Sequence, residues 1–196
     1  MSLTITQKIT ELKIKLASVN NLNENKMAGD LKFYIFDYDP IDEIRVREEI
    51  IKAKNANSEI VLFDLYDLMI DIIDENGYLD NIKTLEREYD KALLLHEVFQ
   101  PMLALEQTGN AILNKFQDSV SDDGNHIVLI TGVGKSFPII RSHTILNNLQ
   151  SIFKKNPVVM IFPGKFSVKN RHLKLFNRLD DDNYYRAFPI IERKED

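Results

Sequence analysis

Residues 126–143 read HIVLITGVGKSFPIIRSH, and the order of an apolar run, two glycines and a helical pattern in this stretch decides the fold. Ile127–Thr131 are five apolar or β-favouring residues in a row. The run has the length of a strand and lacks the polar alternation of a half-exposed one, so it reads as a strand buried on both faces. Gly132-Val133-Gly134 breaks it. Pro138 then opens a pattern of helical period, with Ile139, Ile140, His143, Leu146, Leu149 and Phe153 on one face. A buried parallel strand, a glycine turn and a helix start form the arrangement in which α/β proteins place binding sites. The stretch therefore predicts a central strand over Ile127–Ile130 with the Gly132–Gly134 turn at its carboxyl end.

Working outward, Pro157–Phe162 (PVVMIF) is a second fully apolar strand, closed by Pro163-Gly164. Upstream, Phe33–Phe36 is a short aromatic strand. Asp39 and Pro40 after it suit the N-cap and first position of a helix, with Asp42 and Glu43 complementing the dipole. Glu59–Phe63 is another strand, and Asp64 is the natural N-cap of a helix with Leu65, Leu68, Met69, Ile72 and Ile73 on one face, stopped by Gly77. Ile5, Ile9, Leu12, Leu16 and Val19 give one N-terminal helix a narrow apolar stripe. Residues 80–118 are helical by pattern, from Ile82 and Leu85 through His96 to Ile112, Leu113 and Phe116. Pro101 should kink this segment and Thr108-Gly109-Asn110 weaken it, so it reads as a helical insertion or cap. Leu173, Leu175 and Phe176 suggest a short helix or turn, Asp180–Asn183 a polar turn, and Tyr184–Ile191 a last strand. The expected fold class is α/β, a single domain over 1–196 with a mainly parallel sheet, Rossmann-like or P-loop-like without an intact Walker A.

Composition narrows the function. At 196 residues and 44% hydrophobic the chain can bury one full core. It has no Cys, which removes disulfides, zinc–thiolate sites and thiol catalysis. The N-terminus lacks an apolar signal core and no apolar run approaches ~18 residues, so a cytoplasmic protein with no membrane contact is expected. Charge is unevenly placed. Residues 1–124 carry 13 Lys+Arg against 24 Asp+Glu, and residues 125–196 carry 12 against 6. Lys165, Lys169, Arg171, Lys174 and Arg178 fall in fourteen residues without an acid, a candidate basic patch for an anion or acidic partner.

Gly134-Lys135-Ser136 invites comparison with a P-loop, but the motif needs a glycine five residues before Gly134, where Leu129 stands inside the strand. No HExxH, GxSxG or GxGxxG occurs, so no catalytic residue and no metal or other cofactor is assigned. The polar residues that packing does not explain are Asp37, at the carboxyl end of its strand, and Arg141, which near a helix start faces the unfavourable end of the dipole. Arg141 needs an anionic partner, for which Asp37 or the Asp180–Asp182 turn is a candidate. The expectation is that Arg141, His143, Tyr185 and Arg186 converge beside Gly132 and Gly134 at the carboxyl edge of the sheet, forming a partner- or anion-binding surface.

Three segments, FYIFDYDPIDEIRVREEI (33–50), LITGVGKSFPIIRSHTILNNLQ (129–150) and PVVMIFPGKFSVKNRHLKLFNRLDDDNYYRAFPI (157–190), together resemble the BrxB family of bacterial BREX phage-defence systems. GVG-x-x-x-P-x-x-R-S-H, FPG and DDNYYRAF in series carry the likeness. A lysine after GVG is not part of the family pattern, which implies that Lys135 is incidental. The resemblance implies a non-catalytic adaptor that binds other BREX proteins, PglZ foremost, within a complex that methylates host DNA and blocks phage replication. DNA association would then be indirect, through the complex. Two alternatives stand beside it: a degenerate nucleotide- or phosphate-binding sensor, and a subunit touching DNA through the 165–178 stretch.

Overall fold

The computed structural model describes residues 3–24, 32–94, 98–99, 103, 111–181 and 184–191. The chain opens with α1 (Ile5–Lys15) and α2 (Val19–Asn23), followed by β1 (Phe33–Tyr38), a 3₁₀ turn (Pro40–Asp42), α3 (Glu43–Ala56) and β2 (Ile60–Asp64). Then come α4 (Leu65–Glu75), α5 (Leu79–Glu88), α6 (Lys91–Leu94), α7 (Ala111–Ser119), β3 (Ile127–Thr131), the single turn α8 (Val133–Ser136) and α9 (Ser142–Ile152). The chain closes with β4 (Val158–Ser167), β5 (His172–Leu175), β6 (Leu179–Asp181) and β7 (Phe188–Pro189).

Among the described residues, one sheet runs in the order β2-β3-β4-β1-β7 with all neighbours parallel. Strand alternation divides its core. Tyr34, Phe36, Ile127, Leu129, Val159 and Ile161 face α1, α2 and α3. Phe33, Ile35, Val128, Ile130, Val158 and Met160 face α4, α7 and α9. With helices on both faces, Ile127–Ile130 of β3 and Val158–Phe162 of β4 are apolar and buried throughout, as their sequences require. β3 is interior, paired with β2 on one side and β4 on the other, with Gly132 directly after it.

The caps fall where the sequence put them. The Asp39 carboxylate accepts from the Ile41 amide, and Asp64 accepts from the Tyr66 and Asp67 amides at the start of α4. Gly77, at φ 73°, ends α4.

Several expectations are corrected. The N-terminal stripe spans two helices, because Ser18 leaves the helix in extended conformation and caps α2 on the Asn20 amide. Pro138 starts no helix: it follows a cis peptide bond in the turn between α8 and α9, and Arg141 is the extended N-cap residue before Ser142. β4 does not stop at Pro163-Gly164. Its parallel pairing to β1 runs to Tyr38↔Pro163, after which β4 continues as the first arm of an antiparallel ladder, Gly164↔Leu175 to Ser167↔His172. Gly164 permits this, since a Cβ there would lie 2.1 Å from the Lys174 carbonyl oxygen. Leu173 and Leu175 thus belong to a strand with alternate residues buried, not to a helix or turn. Leu179–Asp181 pairs with it in place of a polar turn. The last strand is only Phe188–Pro189, parallel to Tyr34–Ile35. His96, Pro101, Thr108-Gly109-Asn110, Asp182 and Asn183 lie outside the described residues.

Candidate functional site

The connection leaving β1 passes to α3 on one face of the sheet, while those leaving β2 and β3 pass to α4 and α9 on the other. The chain parts at the carboxyl ends of these strands, where open α/β sheets form a ligand crevice. A crevice lies there, lined by Tyr38, Glu43 and Arg47 on one side and Asp64, Thr131 and Gly132–Gly134 on the other, floored by Ile161 and Pro163. It encloses about 20 Å³, room for about one water molecule rather than a nucleotide.

The protein's own side chains explain the small volume. Asp64 spends one carboxylate oxygen on the Tyr66 and Asp67 amides, at 3.0 and 3.3 Å. Its other oxygen is 2.8 Å from Lys135 Nζ and 3.3 Å from the Thr131 hydroxyl. Lys135 also reaches Asp67 at 3.5 Å and lies 5.4 Å from the Tyr66 ring centre. Lys135 is therefore held beside the crevice, its charge answered by two acids.

Gly132 holds the left-handed conformation at φ 76°, and a Cβ on it would stand 2.2 Å from Asp64 Oδ1. Both the backbone and the space demand glycine. A Cβ on Gly134 would meet the ring of Phe176 at 2.8 Å and Pro163 at 3.3 Å. Phe176 itself has φ 54° and the following Asn177 φ 59°, with the Arg178 amide donating to the Leu175 carbonyl at 3.0 Å. This is a tight turn with two consecutive left-handed residues, joining paired Leu175 and Leu179 of the antiparallel strands. A bulky residue there is unusual, and its ring covers the glycine turn of β3. α8 is a single turn, so little helix dipole stands behind those glycines.

Across the crevice, the Tyr38 hydroxyl donates to Glu43 at 2.5 Å. Burial, and then the Glu43 carboxylate beside it, hold that hydroxyl above the usual tyrosine range.

The residues expected to converge do so only in part. Gly132 and Gly134 line the crevice. Asp37 is buried and its carboxylate is committed elsewhere. Its Oδ2 accepts from the Phe166 amide at 2.8 Å, and its Oδ1 lies 3.3 Å from Lys8 Nζ. It fastens β1 to the point where β4 departs from it, and ties α1 to both. Arg141 is exposed at the amino end of α9, with His143 half-buried in its first turn. Tyr185 is core, its amide donating to the Arg171 carbonyl at 2.9 Å. The Arg186 carbonyl accepts from Gln150 at 3.1 Å, which at 1.5 Å per helical residue sets it about 13 Å along α9 from Arg141. Parallel pairing of Phe188 with Tyr34 likewise puts Arg186 at the amino end of the sheet.

The basic stretch is also partly committed. Lys174 pairs with Asp180 at 3.1 Å on the neighbouring strand. The Arg171 guanidinium donates to the Ala187 carbonyl and lies 4.5 Å from the Phe188 ring centre. Lys165, Lys169 and Arg178 remain exposed. Two features escaped the sequence reading. Phe176 left no signal, because its role depends on contact across the fold. The exposed Ile41 and Ile44 beside the crevice did leave one, since α3 carries apolar residues outside its buried Val46 and Ile50 stripe.

Comparison with known proteins agrees with the resemblance. The family model described as "BREX protein BrxB" matches residues 61–190. A "BREX protein BrxB" of Bacillus cereus (strain H3081.97) is 39% identical over 194 residues, covering 96% of this chain and 98% of that protein. One of Escherichia coli O9:H4 (strain HS) is 24% identical over 187 residues, 94% and 90% of the two chains. No solved structure matches.

Proposed function

The chain belongs to the BrxB family and is a component of a BREX phage-defence system, and from that premise we propose that it is a non-catalytic adaptor subunit. It binds other BREX proteins, PglZ first among them, in the cytoplasm, and touches DNA only through the assembled complex. The complex then methylates host DNA and blocks phage replication. One observation carries this reading: the crevice where an α/β sheet would hold a ligand is filled from within. Asp64, at the carboxyl end of β2, is engaged by two amides, Thr131 and Lys135. Phe176 covers the glycine turn. Chemistry at this place would first require those contacts to open. The rim offers exposed Ile41 and Ile44 instead, the kind of surface that marks protein contact. Among the described residues no helix is long and apolar enough to cross a membrane.

The test is co-expression of the tagged chain with the rest of its operon, followed by purification through size exclusion. PglZ is expected to co-elute in fixed ratio. If no BREX protein co-elutes, the adaptor reading fails. ATP or GTP turnover that follows the wild-type chain through purification and disappears in Ser136→Ala would overturn the non-catalytic part.

A further inference from the structure

α3 has two apolar stripes. Val46 and Ile50 face the sheet and are buried. On the opposite side Ile44 is 76% exposed and Ile51 44% exposed. They are seven residues apart, two helical turns or about 10 Å along one line. Ile41, 88% exposed in the 3₁₀ turn before α3, extends the line toward the sheet's carboxyl edge. Glu48 falls between Ile44 and Ile51 on the same line, so positions 41, 44, 48 and 51 have the 3-4-3 spacing of a helix-packing seam. On neighbouring α1, Ile14 is 61% exposed. Together these exposed isoleucines on adjoining helices make an apolar patch of the kind that marks a protein contact.

The charges beside the seam say what covers it. The flanking positions are Arg45, Arg47, Lys52 and Lys54, all exposed and all basic. They stand out in a region, residues 1–124, that is acidic as a whole. Some of this charge is answered locally. Lys52 lies 2.7 Å from Glu49, which Lys13 of α1 also contacts, while Arg45 donates to the uncharged Thr6 hydroxyl at 2.9 Å. Acids lie at the start of the line, at Asp39, Asp42 and Glu43, and within it at Glu48 and the Lys-paired Glu49.

We propose that the Ile41–Ile44–Ile51 seam is the docking site for an amphipathic helix of another BREX protein, one whose apolar stripe is flanked by Asp and Glu and carries a basic residue opposite Glu48. A second copy of this chain would set its own Arg and Lys against Arg45, Arg47, Lys52 and Lys54, which opposes self-pairing. A lipid surface would bury Glu48 among the isoleucines without a partner. A helix lying along α3 satisfies the seam, its flanks and Glu48 together.

This rests on the adaptor reading, and the experiment separates the two. The operon is co-expressed with tagged wild-type chain, with Ile44→Glu/Ile51→Glu, and with Arg45→Glu/Lys54→Glu. Co-eluting BREX protein is expected to fall about tenfold or more in the isoleucine variant and by a smaller factor in the charge variant. The melting temperature should stay that of wild type, since these side chains are solvent-facing. Ile44→p-benzoylphenylalanine should cross-link to a helical, acid-flanked segment of the same partner. Retained partner with full yield in both variants overturns the docking site and leaves the adaptor reading standing. Absence of any partner with wild type ends both. A wild-type dimer that Ile44→Glu converts to monomer, or isoleucine-dependent binding to anionic vesicles or duplex DNA, would assign the seam to another occupant and overturn the proposal.

Discussion

The carboxyl rim of the sheet and the outer ridge of α3 are a few residues apart in sequence and opposite in character. At the rim, polar groups are tied down. Asp37 answers a buried strand amide and Lys8, Asp64 answers two helix amides and Lys135, and two glycines make room for close neighbours. On the ridge, apolar side chains stand in solvent with no neighbour that needs them. The rim is thus built for stability, and a substitution there breaks something already made. The ridge contributes little to folding, and a substitution there removes something not yet made. Ligand crevices at strand ends commonly hold unanswered polar groups; here the Asp64 carboxylate is answered internally, and an uncovered apolar surface stands on a helix instead.

The sharpest way to break this contrast is Gly132→Val. A β-branched residue at φ 76° with its Cβ 2.2 Å from Asp64 Oδ1 should cost at least about 3 kcal/mol, measured as a loss of soluble, cooperatively unfolding protein. Near-wild-type denaturation would show that the turn is not rigid. Asp37→Ala comes next. It leaves the buried Phe166 amide and Lys8 without their acceptor, and should lower stability by about 2–3 kcal/mol in urea unfolding. If the loss were under half a kilocalorie, Asp37 would be free for another role after all.

Lys135→Ala should be milder, about 0–1 kcal/mol. The lysine is one-third exposed, so its pair with Asp64 is partly screened, and Asp64 keeps both helix amides. Phage protection lost in Lys135→Ala with the fold intact would give the crevice a function beyond structure. Arg141→Ala should change melting temperature even less, the residue being exposed at its cap position.

The smallest effect is a pH dependence on the α1–α3 face. Hydrogen bonds from Lys13, then Lys52, hold the Glu49 carboxyl down at about 2. A folded value below the unfolded one means that this contribution is complete above the ordinary glutamate range and is lost as pH falls toward 2. The melting-temperature difference between wild type and Glu49→Gln should therefore shrink between pH 5 and 2.5, and shrink further in high salt. A difference that grew on acidification would contradict the sign.

Runs such as Ile127–Thr131 and Val158–Phe162 could be read as strands because both faces of a parallel sheet are covered, and that burial imprints an unbroken apolar run on the sequence. Asp39, Asp64 and Gly77 were readable as caps and stop because each acts within three or four residues of itself. The glycine turn after β3 was readable for the same reason. The BrxB likeness, too, required nothing beyond the order of motifs. Misreadings began where a residue answers something distant. Pro163-Gly164 looked like a stop, yet Gly164 admits a β5 carbonyl. Arg141 looked in need of Asp37, which Lys8 and Phe166 had already engaged.

What the sequence determined by itself was therefore the parallel strands of the main sheet, the helices between them and their boundaries at capped ends, because hydrophobic period and capping are local. Only the tertiary structure decided where β4 changes partners, which groups fill the crevice, and which isoleucines of α3 remain uncovered. Those outcomes depend on which surfaces meet when the sheet closes: Asp37 on Phe166 across 129 positions, Lys135 on Asp67 across 68. No window along the chain contains both members of such a pair.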